Sequence, residues 1–209
     1  MEFEELIRRR SMIRAFRPDP VPDELVHKLL RNAVRAPSAG HLQPWEFVVV
    51  REAETKRRLA EAALRQMFVA QAPVVIVTCR NLERNAGRYG DRGRHFYSLI
   101  DASFASLMIL LTARNEGLGA CFVGAYQDEE VWRVLGLPEH VRSVGIIGIG
   151  WPAEGPVKAA RIPLQEVVHW ERWGALSTGS RLIPELDSPH AFRRQASDQG
   201  RGRGSTSGA

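Results

Sequence analysis

The segment 95–116 constrains the fold more than any other part of this sequence. Its hydrophobic residues recur on nearly every side of a helix instead of along one stripe, so other protein surfaces must cover all of its faces. One small sheet in a chain of 209 residues can cover two of those faces. We therefore predict that the remaining face meets a second subunit. Its densest apolar run, 102–113, falls short of the roughly 20 residues that a membrane span needs, so no membrane partner is expected.

Helix-like and strand-like segments alternate around this long helix. Helices are predicted over 2–10, 52–65 and 128–135, with another that begins near Pro22 and ends before Pro37, and strands over 47–50, 74–78, 120–123 and 144–150. The stretch 81–94 is rich in glycine and arginine and lacks periodicity, so we predict an exposed loop that acts as a lid. The segment 174–209 offers too little apolar surface to fold and is predicted to be a disordered tail.

The net charge of +5 and the isoelectric point near 9.7 raise the question of nucleic-acid binding. Of the 29 basic residues only three are lysine, a bias more typical of coding composition than of a binding surface. Acidic residues interleave with arginine through 52–65, and no basic stripe has the aromatic side chains on which RNA bases stack. We therefore predict no nucleic-acid partner.

The two cysteines, Cys79 and Cys121, lie in apolar, strand-like segments and lack the spacing of a disulfide framework. The first residues contain no apolar signal segment. Both observations lead us to expect a cytoplasmic protein with reduced thiols.

The common catalytic motifs are absent from the sequence. It has no Gly-x-Gly-x-x-Gly, Walker A, Cys-x-x-Cys, His-Glu-x-x-His or Gly-x-Ser-x-Gly pattern, and its six histidines are scattered. No metal site is expected, because the histidines lack ligand spacing. No side chains form an obvious nucleophile or acid–base pair, so an enzyme with this sequence needs a cofactor to carry the reaction.

Two arginines at a predicted helix end are suited to binding a phosphate. Arg10 and Arg14 lie four residues apart where the first helix gives way to an extended chain. Two guanidinium groups in this arrangement can hold a phosphate with bidentate donors. The same residues also fit a solvated, basic helix end.

Two further segments are suited to a flat heterocycle. The segment 36–45 combines small residues with Ser38 and Gln43, which offer hydrogen bonds to a polar ring edge. The segment 117–126 ends a strand at Val123-Gly124, where free backbone N–H groups can face a ring nitrogen. Each segment also fits an ordinary structural role, as a tight connection or as a strand exit.

Together these segments resemble the nitroreductase family of flavin mononucleotide (FMN) enzymes. The similarity runs from Arg8 to about Trp173 and includes 88–94, 148–152 and 161–170. The resemblance implies an α+β fold, a nitroreductase-like α/β sandwich with a central, mainly antiparallel sheet flanked by helices, in an intimate homodimer. It also implies a flavin-binding domain over 1–173, with FMN bound between the subunits.

The resemblance further implies which residues hold the cofactor. Met12 stands where many members have serine, so only its backbone is expected to contribute, and His41 stands where members often have asparagine. Expected at the phosphate are Arg10, Ser11, Met12, Arg14, Lys158 and Arg161. Expected at the ring and ribityl chain are Pro37, Ser38, Ala39, Gly40, His41, Gln43, Val123 and Gly124.

The implied reaction is a ping-pong oxidoreduction. NADH or NADPH reduces the flavin and leaves, and an electron-poor acceptor of nitroaromatic or quinone type then takes the electrons. The flavin carries the chemistry, so no catalytic side chain is expected. Two alternatives stay open: a dehalogenating or flavin-degrading enzyme of the same fold, and a non-catalytic flavin carrier or basic nucleic-acid-binding dimer.

Overall fold

The computed structural model describes residues 1–157 and 159–175. Residues Met1–Val157 form one compact unit, and the described residues 159–175 belong to a second unit. The predicted domain 1–173 and the predicted tail 174–209 stay predictions, because residues 176–209 lie outside the described part of the chain.

Helices and short strands alternate along the described residues, as the sequence pattern predicts. In chain order they are α1 (Phe3–Arg9), α2 (Asp23–Ala33), a 3-10 turn (Ala39–His41), β1 (Trp45–Val50), α3 (Ala53–Ala62), α4 (Phe68–Gln71), β2 (Val74–Asn81), α5 (Leu82–Arg92), a π turn (Gly93–Tyr97), α6 (Ser98–Asn115), β3 (Gly119–Val123), α7 (Asp128–Leu135), β4 (Val141–Gly150) and α8 (Leu164–Val167).

The four strands form one sheet in the order β1-β2-β4-β3. Every pairing between neighbouring strands is antiparallel, with a register shift in β2 between Thr78 and Cys79. The prediction of an α+β fold around a mainly antiparallel sheet is therefore confirmed. This order leaves β1 and β3 as the two edges of the sheet.

The chain before α2 extends the β3 edge. Met12 forms a parallel bridge with Ala120 in β3, and Phe16 forms an antiparallel bridge with Pro152 after β4. The first connection of the chain is thereby fixed beside the third strand.

Helices cover both faces of the sheet. One hydrophobic cluster packs α2 and α6 on one face, around Leu29 and Ile109, and a second packs α3, α4 and α7 on the other, around Leu59 and Val69. A leucine as fully buried as Leu29 contributes about 2 kcal/mol through the hydrophobic effect. β4 supplies both clusters by strand alternation, with Ile147 and Ile149 in the first and Ile146 in the second.

The long apolar helix α6 has one uncovered side. Leu99, Phe104 and Leu107 are 41%, 43% and 46% exposed, whereas the opposite side is buried against the sheet and α2. The helical stretch Leu82–Asn115 is long and apolar enough to cross a membrane, but half of its most apolar window is buried inside the protein, as expected of a core helix. The second subunit predicted for the free side stays a prediction.

The prediction of an exposed loop over 81–94 is wrong, because most of this stretch forms the helix α5. The Asn81 side chain caps the helix by accepting hydrogen bonds from the N–H groups of Glu83 and Arg84. Gly90, with φ of 56°, absorbs a kink, and Asn85 is fully buried against the neighbouring helix. Leu82, Ala86 and Tyr89 recur at helical spacing on the partly buried side of α5, but the arginines and glycines between them masked this pattern in the sequence.

Candidate functional site

The segment after α1 runs along the outer edge of β3. The Arg10 N–H closes α1 by donating to the Leu6 carbonyl, after which the chain becomes extended. The Ile13 N–H donates to the Ala120 carbonyl at 3.0 Å, and the Phe122 N–H lies 3.5 Å from the Met12 sulfur. The resemblance places Met12 where many members of the family have serine. In the structure its side chain contributes packing and a weak hydrogen-bond acceptor.

Glu154 fastens this segment on its other side. Its Oε1 accepts hydrogen bonds from the backbone N–H groups of Arg14 and Ala15, the second at 3.0 Å. The Ala153 N–H donates in return to the Ala15 carbonyl at 2.9 Å. The backbone of Arg14 is therefore fixed although its side chain is exposed, with the guanidinium 5.9 Å from the centre of the Phe68 ring.

The segment concentrates unpaired positive charge. Among the described residues, Arg9 pairs with Glu5 and Arg17 with Asp19, whereas Arg10 and Arg14 form no ion pair. Guanidinium groups without a carboxylate partner are available to an anion such as a phosphate.

The charge of Arg14 also acts on the Cys121 thiol of β3. Burial raises the pKa of Cys121, the charge of Arg14 opposes this shift, and Glu154 reinforces it. The thiol is therefore held in its protonated form and is no nucleophile near neutral pH.

The strand exit offers one free edge. The backbone N–H and C=O groups of β3 point alternately to its outer edge and to β4. Because the Ala120 carbonyl and the Phe122 N–H face the outer edge, the backbone groups of Val123 face β4. Val123 is buried and Gly124 is exposed. The Gln66 side chain donates to the next carbonyl, Ala125, at 3.3 Å and so supports this turn.

The loop 37–43 has an unusual backbone. Gly40, His41 and Gln43 have φ of 57°, 60° and 50°, in the left-handed region that disfavours residues with a Cβ. The Ser38 hydroxyl accepts a hydrogen bond from the Gln43 N–H at 3.1 Å, and the side chains of His41 and Gln43 meet at 2.9 Å. Pro37 lies exposed at the start of the loop.

Side chains of α5 cover this loop. A Cβ on Gly40 would lie 2.6 Å from the Tyr89 hydroxyl and 2.9 Å from Arg88 Nη1, so the glycine permits their close approach. Arg84 donates to the Gln43 carbonyl at 2.6 Å. The helix in place of the predicted lid loop therefore forms one wall beside the loop 37–43.

The expected cofactor-binding residues fall into two groups on opposite edges of the sheet. The segment 10–14 and Gly124 lie at the β3 edge, and the loop 37–43 leads into β1 at the other edge. Three strand spacings separate these edges, a distance of about 14 Å. One copy of the chain does not bring the two groups together.

The late basic pair is described only in part. The Arg161 guanidinium is exposed and donates to the carbonyls of Ala159 and Ala160 at 3.1 and 3.4 Å. Lys158 lies outside the described residues. The expectation that both residues meet a cofactor phosphate stays a prediction. In the described ranges, no three His, Cys, Asp or Glu side chains are grouped as a metal site would require.

Comparison with known proteins identifies the family. Residues 7–75 and 63–151 match the model of the nitroreductase family. The chain is 37% identical over 191 residues to a protein named NADH dehydrogenase from Thermus thermophilus, covering 78% of this chain and 93% of that protein. It is 30% identical over 179 residues to FMN reductase (NADPH) from Bacillus subtilis, covering 79% and 72%.

A solved structure supports the same assignment. The NADPH:FMN oxidoreductase from Vibrio harveyi, in complex with NAD+, superposes with a TM-score of 0.76 at 27% identity and covers 83% of this chain and 79% of that one. The chain belongs to the nitroreductase family. The family and the oxidoreductase class predicted from the sequence are confirmed.

Sequence reasoning missed three residues that support the site. Glu154 holds the segment 10–14, and Asp101 and Asn85 hold the loop 37–43. A lone aspartate inside an apolar helix was a readable signal for Asp101. No local pattern points to Asn85 or Glu154, whose partners lie far away in the sequence.

Proposed function

We propose that the chain is an FMN-dependent NAD(P)H oxidoreductase that reduces an electron-poor acceptor of nitroaromatic or quinone type by a ping-pong mechanism. The observation that carries this proposal is the pair of guanidinium groups of Arg10 and Arg14, which form no ion pair within residues 1–157 and 159–175, on a backbone that hydrogen bonds to β3 and Glu154 hold in place. Family membership and the names of the relatives support the same assignment.

The β3 edge has the donors that a nucleotide needs. Arg10, Arg14 and the Ser11 hydroxyl would hold the phosphate, the role that the sequence resemblance also implies for Lys158 and Arg161. The N–H of Gly124, beyond the buried end of β3, would donate to the ring near its N5 atom. These groups fit a phosphorylated, hydrogen-bonding cofactor.

The β1 edge has the shape that a flat ring needs. Pro37, Gly40 and His41 are exposed, and Gly40 lacks the Cβ that would meet Tyr89 and Arg88. Tyr89 and Arg88 fill the space beside Gly40, so a ring would lie against the exposed Pro37 and His41, while the hydrogen bond from the Gln43 N–H to Ser38 Oγ keeps the loop closed.

A homodimer completes the site. The two groups of residues lie on opposite sheet edges of one chain, and α6 leaves Leu99, Phe104 and Leu107 exposed. A second copy that covers this apolar side brings its loop 37–43 to the first copy's segment 10–14 and forms a groove for FMN between protomers. We place this dimer in the cytoplasm, where both thiols stay reduced.

When bound, FMN supplies the redox centre that accepts electrons from NAD(P)H and passes them to the acceptor. The residues of this chain bind and orient it. Arg10 and Arg14 contribute positive charge that stabilises negative charge on the bound nucleotide. No side chain is required to form a covalent bond, which agrees with the buried, protonated state of Cys121.

An anaerobic titration followed by absorbance tests the proposal. Purified protein should be yellow and release FMN on denaturation, the flavin band should bleach with NADH or NADPH, and a quinone or nitroaromatic should restore it. Colourless protein that takes up no added FMN would refute the proposal. Salt-sensitive RNA binding without NAD(P)H oxidation supports a non-catalytic dimer, and turnover of only halogenated or flavin substrates supports the same-fold alternative.

A further inference from the structure

A buried carboxylate joins the loop 37–43 to two helices. Asp101, in the first turn of α6, is 3% exposed. Its Oδ1 and Oδ2 accept hydrogen bonds from the Ala39 N–H at 3.1 and 3.2 Å, and Oδ2 also accepts one from Asn85 Nδ2 of α5 at 2.9 Å. A carboxylate removed from water needs such donors. Asp101 is therefore the point where the loop, α5 and α6 meet.

The backbone of the loop needs support from outside. Gly40, His41 and Gln43 lie in the left-handed region, and such conformations persist only where the surrounding structure imposes them. The hydrogen bond from the Gln43 N–H to Ser38 Oγ closes the loop on itself without attaching it to the helices. The Arg84 side chain attaches the end of the loop to α5 at the Gln43 carbonyl, and the Asp101 carboxylate attaches its middle to α6 at the Ala39 N–H.

Asn85 has no other visible task than to orient Asp101. Its side chain is fully buried, its Nδ2 donates to Asp101, and its Oδ1 has no hydrogen-bond partner among the described residues. A buried amide with an unsatisfied oxygen lowers stability, so its presence is better explained by what its donor group holds in place.

We propose that Asp101 is a positioning residue for the flavin. Asn85 orients the Asp101 carboxylate, the carboxylate fixes the Ala39 N–H, and the loop then presents its backbone to the ring in one geometry. In this proposal neither the Asp101 carboxylate nor the Asn85 amide touches the cofactor. This inference rests on the proposed function, because it takes the loop 37–43 as part of the flavin site.

An exchange of the two side chains gives the sharpest test. Asp101→Asn leaves one neutral acceptor oxygen for the Ala39 N–H and adds an amino group, so the charged acceptor is lost and Asn85 must turn its amide to accept from the new donor. The double variant Asn85→Asp/Asp101→Asn restores the pairing. The new amide oxygen accepts from Ala39, and its amino group donates to the carboxylate introduced at the other position.

A matched control lies on the same helix. Thr112 is 6% exposed, and its hydroxyl accepts a hydrogen bond from Asn32 Nδ2 at 3.1 Å. Thr112→Val removes a buried polar contact of α6 that does not involve the loop 37–43. It should lower the thermal midpoint of the apoprotein and leave the Kd for FMN unchanged.

The measurements are the Kd for FMN, the visible circular dichroism of bound flavin and the thermal midpoint of the apoprotein. We expect Asp101→Asn to raise the Kd about tenfold and to change the flavin dichroism, because one hydrogen bond to a charged group is lost. The double variant should return the Kd to within about threefold of the original chain.

Three outcomes overturn the inference: unchanged Kd and dichroism in Asp101→Asn, a double variant as weak as the single one, or an equal loss in Thr112→Val. In each of these cases the original chain still binds FMN, so the proposed function survives. Failure of the original chain to bind FMN overturns both.

A milder variant covers the case in which Asp101→Asn does not fold. Asn85→Ala keeps the carboxylate and removes only its orienting donor. We expect it to raise the Kd about threefold and to speed hydrogen exchange of the Ala39 amide, whereas no change in either quantity overturns the inference.

Discussion

The Glu154 carboxylate accepts a hydrogen bond from the backbone N–H of Arg14, a residue 140 positions earlier in the chain. The same oxygen accepts one from the Ala15 N–H at 3.0 Å. Two consecutive N–H groups that converge on one anion form a small nest, and here a side chain of the protein itself fills it. Glu154 therefore sets the direction in which the segment 10–14 leaves β3.

Removing this carboxylate should loosen the proposed phosphate site. We expect Glu154→Ala to weaken FMN binding severalfold, because the N–H groups of Arg14 and Ala15 lose their shared acceptor, and Glu154→Gln to have a smaller effect, since its amide oxygen can still accept. Titration of the apoprotein with FMN measures both variants. Glu129→Gln, an exposed substitution on α7, is the control, and equal affinity in all three variants would contradict the role given to Glu154.

Two glycines, Gly40 in the loop 37–43 and Gly87 in α5, should respond in opposite ways to alanine. Gly40 has φ of 57°, and a Cβ there meets the tips of the Tyr89 and Arg88 side chains. Since those tips can move, the backbone conformation dominates, and Gly40→Ala should cost about 1 kcal/mol or more of stability and weaken FMN binding. Gly87, in α5, has open space around its Cα, so Gly87→Ala should stabilise the helix by about 0.5–1 kcal/mol.

Urea unfolding of the apoprotein and FMN titration check this pair. Both substitutions add one methyl group, so any general effect of the added methyl cancels in the comparison. A Gly40→Ala protein that matches Gly87→Ala in both measurements would show that the loop 37–43 tolerates a Cβ and does not need its observed backbone.

Charge removal at the β3 edge should be more damaging than on a solvated helix. Arg57 on α3 is engaged by Glu54 and Glu61 on the surface, whereas Arg10 has no ion pair among the described residues. Arg10→Ala should weaken FMN binding at least about tenfold, the effect of losing one charged hydrogen bond, and Arg57→Ala should leave it unchanged. Equal retention of FMN after gel filtration would argue against a phosphate at Arg10.

Local patterns predicted the parts of this fold that rest on local physics. The helix over 128–135 and the strand over 120–123 follow from hydrophobic spacing, and the structure places α7 at Asp128–Leu135 and β3 at Gly119–Val123. The arginines 10 and 14 could also be singled out, because charge at a helix end is visible in the sequence.

The features that the sequence pattern could not predict depend on tertiary contacts. The short apolar stripe of α5, formed by Leu82, Ala86 and Tyr89, is masked by arginines and glycines, and spacing does not encode the buried hydrogen bond between Asn85 and Asp101 that also holds this helix. The predicted helix 52–65 ends earlier, at Ala62, because Leu64 and Arg65 adopt left-handed backbone angles. The separation of the two groups of site residues onto opposite edges follows from strand order, which hydrophobic spacing does not encode.

The Cys79 thiol and the Tyr126 hydroxyl, in the hydrophobic cluster around Leu59 and Val69, should make the stability of the protein sensitive to alkaline pH. Burial raises the pKa of the Cys79 thiol from 9.0 to about 12 and that of Tyr126 from 10.0 to about 12. The unfolded chain loses the Cys79 proton above pH 9.0 and the Tyr126 proton above pH 10.0, while the native protein keeps both. The unfolded state then binds fewer protons, so the unfolding free energy falls as pH rises, by at most about 1.4 kcal/mol per pH unit for each group.

Urea unfolding at neutral pH and at several values between 9.0 and about 12 measures this fall. Cys79→Ala removes one of the two buried thiols, Cys79 and Cys121, that titrate from pH 9.0 in the unfolded chain. Its unfolding free energy should be lower at neutral pH, owing to the lost packing, but should decline less steeply above pH 9.0. The slope that remains in this variant should begin near pH 9.0 with Cys121, whose pKa burial also raises, and should steepen near pH 10.0, where Tyr126 begins to contribute. Parallel curves for the original chain and Cys79→Ala would mean that Cys79 ionises in the native protein as readily as in the unfolded one, and that β2 opens to solvent before the domain unfolds.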